Sequence, residues 1–177
     1  MAKPYDIDAV CKEWLGKKAK TLYAKYPVEY EPIRRHCQMV GNNNPLFLDP
    51  DYGAASRYES VICPPVAIQI FALPGRLPPD PNPRSQVIDL GLPLPGSNFT
   101  NMSREQQFFT PVKVGDQLNT TTHIAELFIK ATRLDPKSVW IISEDVIKNQ
   151  RDEVVCIVRN TLLNFRTEEE QQSQEVS

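Results

Sequence analysis

The segment at residues 65–73, PVAIQIFAL, is the feature that most limits how this chain can fold. It is apolar on nearly every side except at Gln69, and Pro74 and Gly75 end it. A short helix that is hydrophobic all round has to be enclosed by the rest of the fold. Hydrophobic periodicity alone also allows a buried strand at this place. The sequence therefore predicts a central apolar element, interpreted first as a helix, around which the other elements pack.

The last third of the chain predicts the sheet that covers this element. Strands are predicted at residues 103–110, 118–130, 139–148 and 154–165, and the turn at 149–152 joins the last two as a hairpin. A single apolar helix followed by a run of strands can be hidden only by a curved sheet. The predicted class is therefore α+β, with an antiparallel sheet wrapped around a central apolar helix.

The N-terminal third of the chain predicts the remaining helices. Residues 6–20 carry apolar side chains at three- and four-residue spacing, with Asp6 as N-cap, and predict an amphipathic helix. A first strand is predicted within residues 23–30. The helix that follows ends at Gly41, which serves as its C-terminal cap, and a further short helix follows Asp49.

Length, composition and charge exclude several classes of function. A chain of 177 residues fits one domain, and a net charge of −2 argues against a nucleic-acid surface, which needs a basic face. No apolar run approaches the roughly 18 residues of a membrane helix, and the N-terminus lacks the apolar core of a signal peptide. The four cysteines are scattered without a Cys-x-x-Cys pair, which is typical of a reduced protein and offers no zinc site. We therefore expect a cytoplasmic protein without nucleic acid, membrane insertion or metal.

A polar turn sequence ahead of the apolar element carries the clearest functional signal. Residues 41–66 read GNNNPLFLDPDYGAASRYESVICPPV. This stretch resembles the hydratase motif of MaoC-like hot-dog proteins and is most similar to their N-terminal-type, FAS1-like dehydratase branch, in which Ala-Pro-Pro commonly stands where Cys63-Pro64-Pro65 stands here. The sequence VKVGD at 112–116 and the closing hairpin extend the resemblance over residues 26–166. The resemblance implies a hot-dog fold, in which the sheet wraps the helix at residues 65–73.

The motif is altered at the two positions on which the chemistry of the family depends. Active members read Gly-Asp-x-Asn-Pro-x-His, and their Asp and His hold the water that adds to an enoyl thioester. In this chain Asn42 stands at the Asp position and Phe47 at the His position. An amide is not a general base at neutral pH, and a phenyl ring does no proton chemistry. The sequence has only two histidines, His36 and His123, so no catalytic residues are expected.

The same stretch keeps the means to bind a substrate. Asn42 can hold water by hydrogen bonds, and Phe47 can line an acyl channel. The resemblance implies that backbone N–H groups at the start of the central helix hold the thioester oxygen. Because the two prolines there have no N–H, Val66 and Ala67 provide the first candidates. The predicted substrate-binding residues are Asn42, Asn44, Phe47, Val66 and Ala67.

The predicted elements and the extent of the resemblance divide the chain into three regions. Residues 1–25 form an N-terminal helical extension, residues 26–166 the hot-dog domain, and residues 167–177 a polar, acidic tail that we expect to be disordered. Residues 74–95 contain seven prolines, which favour an extended loop. A loop this long inside a domain is typical of a functional segment, and we interpret it first as an ordered flap over a pocket. The alternative interpretation is a flexible insertion.

The resemblance and the altered motif together imply a function. Some MaoC-like hydratases are heteromers in which one half keeps Asp and His and the other half shapes the acyl channel. We therefore predict a non-catalytic, channel-forming subunit of an enoyl-CoA hydratase, which converts trans-2-enoyl-CoA to 3-hydroxyacyl-CoA with a bulky, long-chain or steroid side-chain acyl group. The implied partner is a MaoC-like subunit with intact Asp and His, in a heterodimer or heterotetramer. Coenzyme A enters only as the substrate thioester, and no other cofactor is implied.

Two other functions remain open at this point. The first is a non-enzymatic protein that binds acyl thioesters or acts as a scaffold. The second is an autonomous hydratase with an unorthodox base. A neighbouring reading frame that encodes an intact motif would favour the subunit over both.

Overall fold

A computed structural model of the chain describes residues 5–72 and 91–175. Its helices are α1 (Ile7–Trp14), α2 (Tyr30–Val40), α3 (Pro45–Leu48), α4 (Pro50–Ala55), α5 (Ile68–Ala72) and α6 (Glu168–Glu175). Its strands are β1 (Leu22–Tyr23), β2 (Asn98–Phe108), β3 (Asn119–Ile129), β4 (Val139–Lys148) and β5 (Val154–Phe165). A 3₁₀ turn, Pro65–Ala67, leads directly into α5. Most of the predicted proline-rich flap at residues 74–95 lies outside the described residues.

One antiparallel sheet holds the five strands in the order β1-β3-β4-β5-β2. The predictions for β3, β4 and β5 are confirmed to within one residue, whereas β2 begins at Asn98, ahead of the predicted start at residue 103. The predicted hairpin between β4 and β5 is also confirmed. Its turn is held by Asn149 Oδ1, which accepts the backbone N–H groups of Arg151 and Glu153.

Helix α5 packs on one face of the sheet, called here the inner face, and lies at the centre of the larger apolar cluster. Phe71 and Ile68 of α5 share this cluster with Ile147 of β4 and Val158 of β5. Burying each large apolar side chain contributes about 1.5–3 kcal/mol. The buried members of this helix cluster are Ala24, Val28, Ile33, Cys37, Cys63, Ala67, Ile68, Phe71, Ala72, Val112, Leu118, Ile147, Val155, Cys156 and Val158.

Among residues 5–72 and 91–175, nothing covers the opposite side of α5 and of the 3₁₀ turn that leads into it. Val66 is 66% exposed and Ile70 is 53% exposed, although both are apolar. The described residues therefore do not enclose the helix on every side, as the sequence analysis expected. The physical reason is that one sheet contacts only one side of a helix, so the second side needs another surface to cover it.

A second apolar cluster, the N-terminal cluster, lies on the same inner face where α1 packs on the sheet. Ile141 belongs to it and lies six residues from Ile147 on β4, so both side chains point to the same face because strand side chains alternate. Asp6 caps α1 as predicted, since its Oδ1 accepts the N–H of Ala9 at 3.1 Å. The cluster consists of Val10, Trp14, Leu92, Ile124, Leu127, Val139 and Ile141.

Two predicted elements near the N-terminus are shorter than expected. Helix α1 ends at Trp14 because Gly16 adopts a left-handed φ of 73° and donates its N–H to Ile124 of β3 at 2.9 Å. The predicted strand at residues 23–30 is reduced to β1. Beyond β1 the chain is held by isolated bonds, such as Val28 N–H to Asp116 O at 2.8 Å. Pro27 cannot donate to a ladder, which is consistent with this interruption.

The C-terminal tail is helical where the sequence predicts disorder. In α6, Thr167 Oγ1 accepts the N–H of Glu170, and Glu170 Oε2 accepts the N–H of Thr167. This reciprocal arrangement is a capping box, which satisfies two backbone donors at a helix start. The expectation of disorder is therefore corrected for Glu168–Glu175. In the described part of the chain no helix is long and apolar enough to cross a membrane.

A buried ion pair fixes the end of β5 to the turn that precedes β4. Arg166 Nη2 donates to Asp135 Oδ1 at 2.7 Å, and Arg166 Nε donates to Asp135 Oδ2 at 2.9 Å. Asp135 is fully buried and Arg166 is 6% exposed. The hydrogen bonds from the Arg166 side chain lower the pKa of Asp135 to about 2.

Replacing Asp135 by Asn should lower the free energy of unfolding by about 3–5 kcal/mol, because the guanidinium of Arg166 then stays buried without its counter-charge. The folded-state pKa of Asp135 lies below the ordinary value of about 3.9. The contribution of the pair is therefore complete above about pH 4 and is lost as the pH falls towards 2. Urea unfolding across this pH range measures both effects.

Glu13→Gln is the matched control, because its ion pair with Lys17 is exposed and spans 3.9 Å. That change should alter stability by less than about 1 kcal/mol. Parallel pH profiles for the wild type and Asp135→Asn between pH 4 and 2.5 would contradict the assignment.

Candidate functional site

The altered motif follows directly from the end of α2 and turns back towards the core. Gly41 takes a left-handed φ of 66°, as expected of a helix C-terminal cap, and the N–H of Asn42 bonds to Cys37 O at 2.9 Å. Asn42 is half-buried, while Asn43 and Asn44 are exposed. The three asparagines therefore form the rim of the site.

The side-chain oxygens of two asparagines are used to build the turn. Asn42 Oδ1 accepts the N–H of Asn44 at 3.0 Å, and Asn44 Oδ1 accepts the N–H of Leu46 at 3.0 Å as the N-cap of α3. These bonds do not use the Nδ2 groups. Asn42 can therefore offer hydrogen-bond donors to a ligand, but its carbonyl oxygen has a structural role.

Phe47 forms the apolar wall of the motif. Phe47 and Leu48 are half-buried and pack against the helix cluster. Tyr30 fixes α3 in place, because its hydroxyl donates to Leu48 O at 2.5 Å. Ile62 adds a second tie through its N–H to Leu46 O at 3.2 Å. Phe47 thus stands at the edge of the core and can line a channel.

The carboxyl groups near the motif do not form an acid–base pair. Asp49 caps α4 as predicted, since its Oδ1 accepts the N–H groups of Asp51 and Tyr52. Among residues 5–72 and 91–175, the one histidine–carboxyl contact recorded is that between His123 Nε2 and Glu144 Oε2 at 3.4 Å. These two residues lie on β3 and β4, outside the motif. The described residues also contain no group of His, Cys, Asp and Glu that could hold a metal ion.

The start of the central helix offers one backbone donor rather than the two predicted. Ala67 N–H donates to Pro64 O at 2.8 Å, and the Ala67 side chain is buried in the helix cluster. Val66 is therefore the first residue whose N–H remains for a thioester oxygen, and it is 66% exposed. Of the five predicted binding residues, the structure gathers Asn42, Asn44 and Phe47 in one turn and places Ala67 in the core.

Cys63 is not a nucleophile in this site. Its N–H bonds to Val112 O at 2.8 Å, and its thiol donates to Pro64 O at 3.4 Å. Burial raises the pKa of Cys63 to about 12, with a smaller contribution from Cys37. The thiol is therefore neutral at physiological pH, whereas a nucleophilic cysteine needs the thiolate.

An open cleft of about 440 Å³ adjoins the motif and was not identified from the sequence. Arg57 Nη2 donates to the hydroxyl of Tyr58, and the guanidinium carbon lies 4.7 Å from the centre of the Tyr58 ring. Gly53 permits the tight turn, because a Cβ there would lie 2.7 Å from the backbone N of Val61. The lining residues are Leu46, Tyr52, Ala55, Ser56, Arg57 and Tyr58.

The chain belongs to the family of the FAS1-like dehydratase domain region, whose sequence profile matches residues 13–158. A UPF0336 protein of Saccharopolyspora erythraea is 24% identical over 150 residues, which cover 85% of this chain and 88% of that protein. The 3-oxo-4,17-pregnadiene-20-carboxyl-CoA hydratase alpha subunit of Mycobacterium tuberculosis is 22% identical over 162 residues. That match covers 90% of this chain but 51% of the subunit, so this chain spans about half of its length.

Solved structures define the fold as the hot-dog fold of MaoC-like dehydratases. A chain of the ChsH1-ChsH2 complex from Mycobacterium tuberculosis superposes with a TM-score of 0.73 at 20% identity, over 92% of this chain and 96% of that chain. The MaoC-like dehydratase from Rhodospirillum rubrum gives a TM-score of 0.59 at 17% identity, over 86% of this chain and 92% of that one. The predicted fold and family resemblance are confirmed.

Asn44→Ala should lower the free energy of unfolding by about 1 kcal/mol, because it removes the side-chain N-cap of α3. Thermal or urea unfolding of the full chain measures the change. Asn43→Ala is the matched control, since Asn43 is an exposed neighbour that does not cap the helix. Equal stabilities of the two variants would show that the Asn44 cap does not stabilise the turn.

Proposed function

We propose that this chain is the non-catalytic, acyl-channel-forming subunit of a heteromeric MaoC-like enoyl-CoA hydratase. The observation that carries the proposal is the motif at Asn42 and Phe47, which keeps the family's turn but lacks an acid–base pair. Its substrate is a trans-2-enoyl-CoA with a bulky, long-chain or steroid side-chain acyl group, and the product is the 3-hydroxyacyl-CoA. Coenzyme A is present only as part of the substrate.

The chemistry of hydration supports a division of labour between two subunits. One group must take a proton from water, and another must deliver a proton to the α-carbon. The amide of Asn42 and the ring of Phe47 can do neither. In the proposed complex, Phe47 lines the acyl channel, Asn42 offers Nδ2 to bound water, and Val66 offers its N–H to the thioester oxygen. Both proton transfers then belong to the partner.

The uncovered surfaces of the sheet and of α5 support a second hot-dog subunit. Among the described strands, β2 pairs with β5 alone, and every residue of it after Asn98 is exposed. Phe99, Met102 and Phe108 of this strand are 40%, 49% and 38% exposed. An open edge with apolar side chains invites pairing with another strand. A partner seated along β2 and the exposed side of α5 buries both.

A mixed pair fits the chemistry better than two copies of this chain. A homodimer closes the edge but contains two channels without an acid–base pair, whereas a heterodimer or heterotetramer contributes intact Asp and His. One solved structure similar to this chain comes from the ChsH1-ChsH2 complex, which contains two different proteins. The relative from Mycobacterium tuberculosis is likewise named as an alpha subunit. We place the complex in the cytoplasm, where enoyl-CoA substrates are available.

The isolated chain should hydrate crotonyl-CoA and longer enoyl-CoA no faster than buffer does, because it lacks an acid–base pair. Co-expression with a MaoC-like subunit that carries Asp and His should give a stable complex with hydratase activity. Size-exclusion chromatography and an enoyl-CoA hydration assay measure the two outcomes. Turnover by the pure isolated chain that is abolished by Asn42→Ala would reveal an autonomous hydratase. A stable homodimer that binds acyl-CoA, with no complex formed, would instead favour a non-enzymatic binding protein.

Val66→Trp should change the chain-length preference of the complex more than its maximal rate on short substrates, because position 66 is exposed beside the proposed channel. Ala67 is unsuitable for this test, since it is 1% exposed and a larger side chain there would overpack the core. Leu134→Trp is the matched control, because Leu134 is 55% exposed and lies in the turn between β3 and β4. Identical chain-length profiles for both variants would remove Val66 from the channel.

A further inference from the structure

Four polar side chains interrupt the apolar inner face of the sheet between the helix cluster and the N-terminal cluster. We call Thr122, Ser143, Asp145 and Asn160 the polar row. Thr122 lies opposite Asp145 across β3 and β4, and Ser143 lies opposite Asn160 across β4 and β5. On β5, Asn160 stands between Val158 of the helix cluster and Leu162, which packs on the N-terminal cluster. Because side chains of alternate residues share a face, all four belong to the inner face.

The carboxyl group of Asp145 is held at the centre of this row. Thr122 Oγ1 donates to Asp145 Oδ1 at 2.6 Å, and Asn160 Nδ2 donates to Asp145 Oδ2 at 3.1 Å. Each carboxyl oxygen can accept more than one hydrogen bond, so capacity remains for a donor from a ligand. Asp145 is half-buried, whereas Thr122 and Ser143 are fully buried.

Hydrogen-bonding groups without a partner lie in this row and beside it. In the described residues, three buried side-chain atoms have no hydrogen-bond partner, namely Ser143 Oγ, Trp14 Nε1 and Tyr5 OH. Ser143 lies opposite Ile124 of the N-terminal cluster, Trp14 is a member of that cluster, and Tyr5 packs against it. A buried polar group without a partner is costly and rare in native proteins. All three lie in or beside the N-terminal cluster, so a polar group of a ligand that reached this place would meet hydrogen-bonding atoms that the fold does not use.

The row begins where the described part of the central helix ends. Thr120 Oγ1 donates to Ala72 O at 3.0 Å, and Thr122 is the next residue of β3 on the same face. From Val66 to Ala72 the helix advances roughly 9 Å. A ligand whose thioester lies at Val66 and whose acyl group follows the helix therefore reaches the polar row with its far end.

We propose that the polar row is a specificity site for an acyl group that carries a hydroxyl at its distal end. This inference rests on the proposed acyl-channel function. A hydroxyl both donates and accepts, so it can donate to Asp145 and accept from Ser143, while the apolar clusters on either side contact the hydrocarbon part. Helix α1 closes over the unpaired atoms in this structure. Entry of the ligand then requires α1 to move away from Ser143, and Gly16, with its left-handed φ of 73°, is the hinge that the proposal assigns to this movement.

Equilibrium binding to the complex of this chain with its MaoC-like partner tests the proposal with two probes of equal length. 12-Hydroxydodecanoyl-CoA should bind about fivefold more tightly than dodecanoyl-CoA, the ratio that corresponds to one net hydrogen bond. Ser143→Ala should remove most of this preference and leave the affinity for dodecanoyl-CoA unchanged. Asp145→Asn should also reduce the preference, because the amide replaces an acceptor oxygen by a donor.

Thr161→Val is the matched control, because Thr161 adjoins Asn160 on β5 and its hydroxyl belongs to the opposite face of the sheet. It should keep the full preference. The thermal midpoint of Ser143→Ala should not fall, since the hydroxyl removed has no partner in the fold.

The outcomes separate this inference from the function on which it rests. Equal binding of the two probes by the wild type, or a preference that survives Ser143→Ala and Asp145→Asn, would overturn the specificity site and leave the acyl channel in place. Failure of the complex to bind either probe, together with absent hydratase activity, would overturn the acyl-channel function itself.

Discussion

The packing of α5 on the inner face of the sheet is the interaction on which the rest of the structure depends. Phe71 and Ile68 join the sheet residues Ile147 and Val158 in one cluster, and the altered motif rests against that cluster through Phe47. The packing of Phe47 on this cluster therefore fixes the position of the motif relative to the core. The same packing leaves Val66 exposed at the start of the helix, where the proposed function places the thioester oxygen.

The elements that the sequence predicts correctly are those whose signals are local. Strands β3, β4 and β5 are long runs of β-branched and apolar residues, and the caps at Gly41 and Asp49 depend on neighbouring backbone groups alone. The errors arise where a local signal competes with another. Apolar and polar residues alternate over residues 23–30 as in a strand, but Pro27 interrupts the pattern. The acidic composition of the tail predicts disorder, whereas Thr167 and Glu170 form a capping box that starts a helix.

The turn at the altered motif was predictable in outline but not in detail. Asn42, Asn44 and Phe47 lie in one turn. The sequence does not show that Ala67 is buried, or that the side-chain oxygen of Asn44 caps a helix. A local sequence pattern does not predict the polar row, because Thr122, Asp145 and Asn160 come together only through the register of three strands. Burial and long-range pairing are properties of the folded chain.

The uncovered edge at β2 has a consequence for how such a chain is produced in a cell. Copies synthesised in excess of the proposed partner keep an open strand edge with Phe99, Met102 and Phe108 in water, where it can template the stacking of further copies. Balanced translation of the two chains, for instance from one messenger RNA, would limit the lifetime of that unprotected edge. The yield of folded protein should then depend on stoichiometry as much as on intrinsic stability.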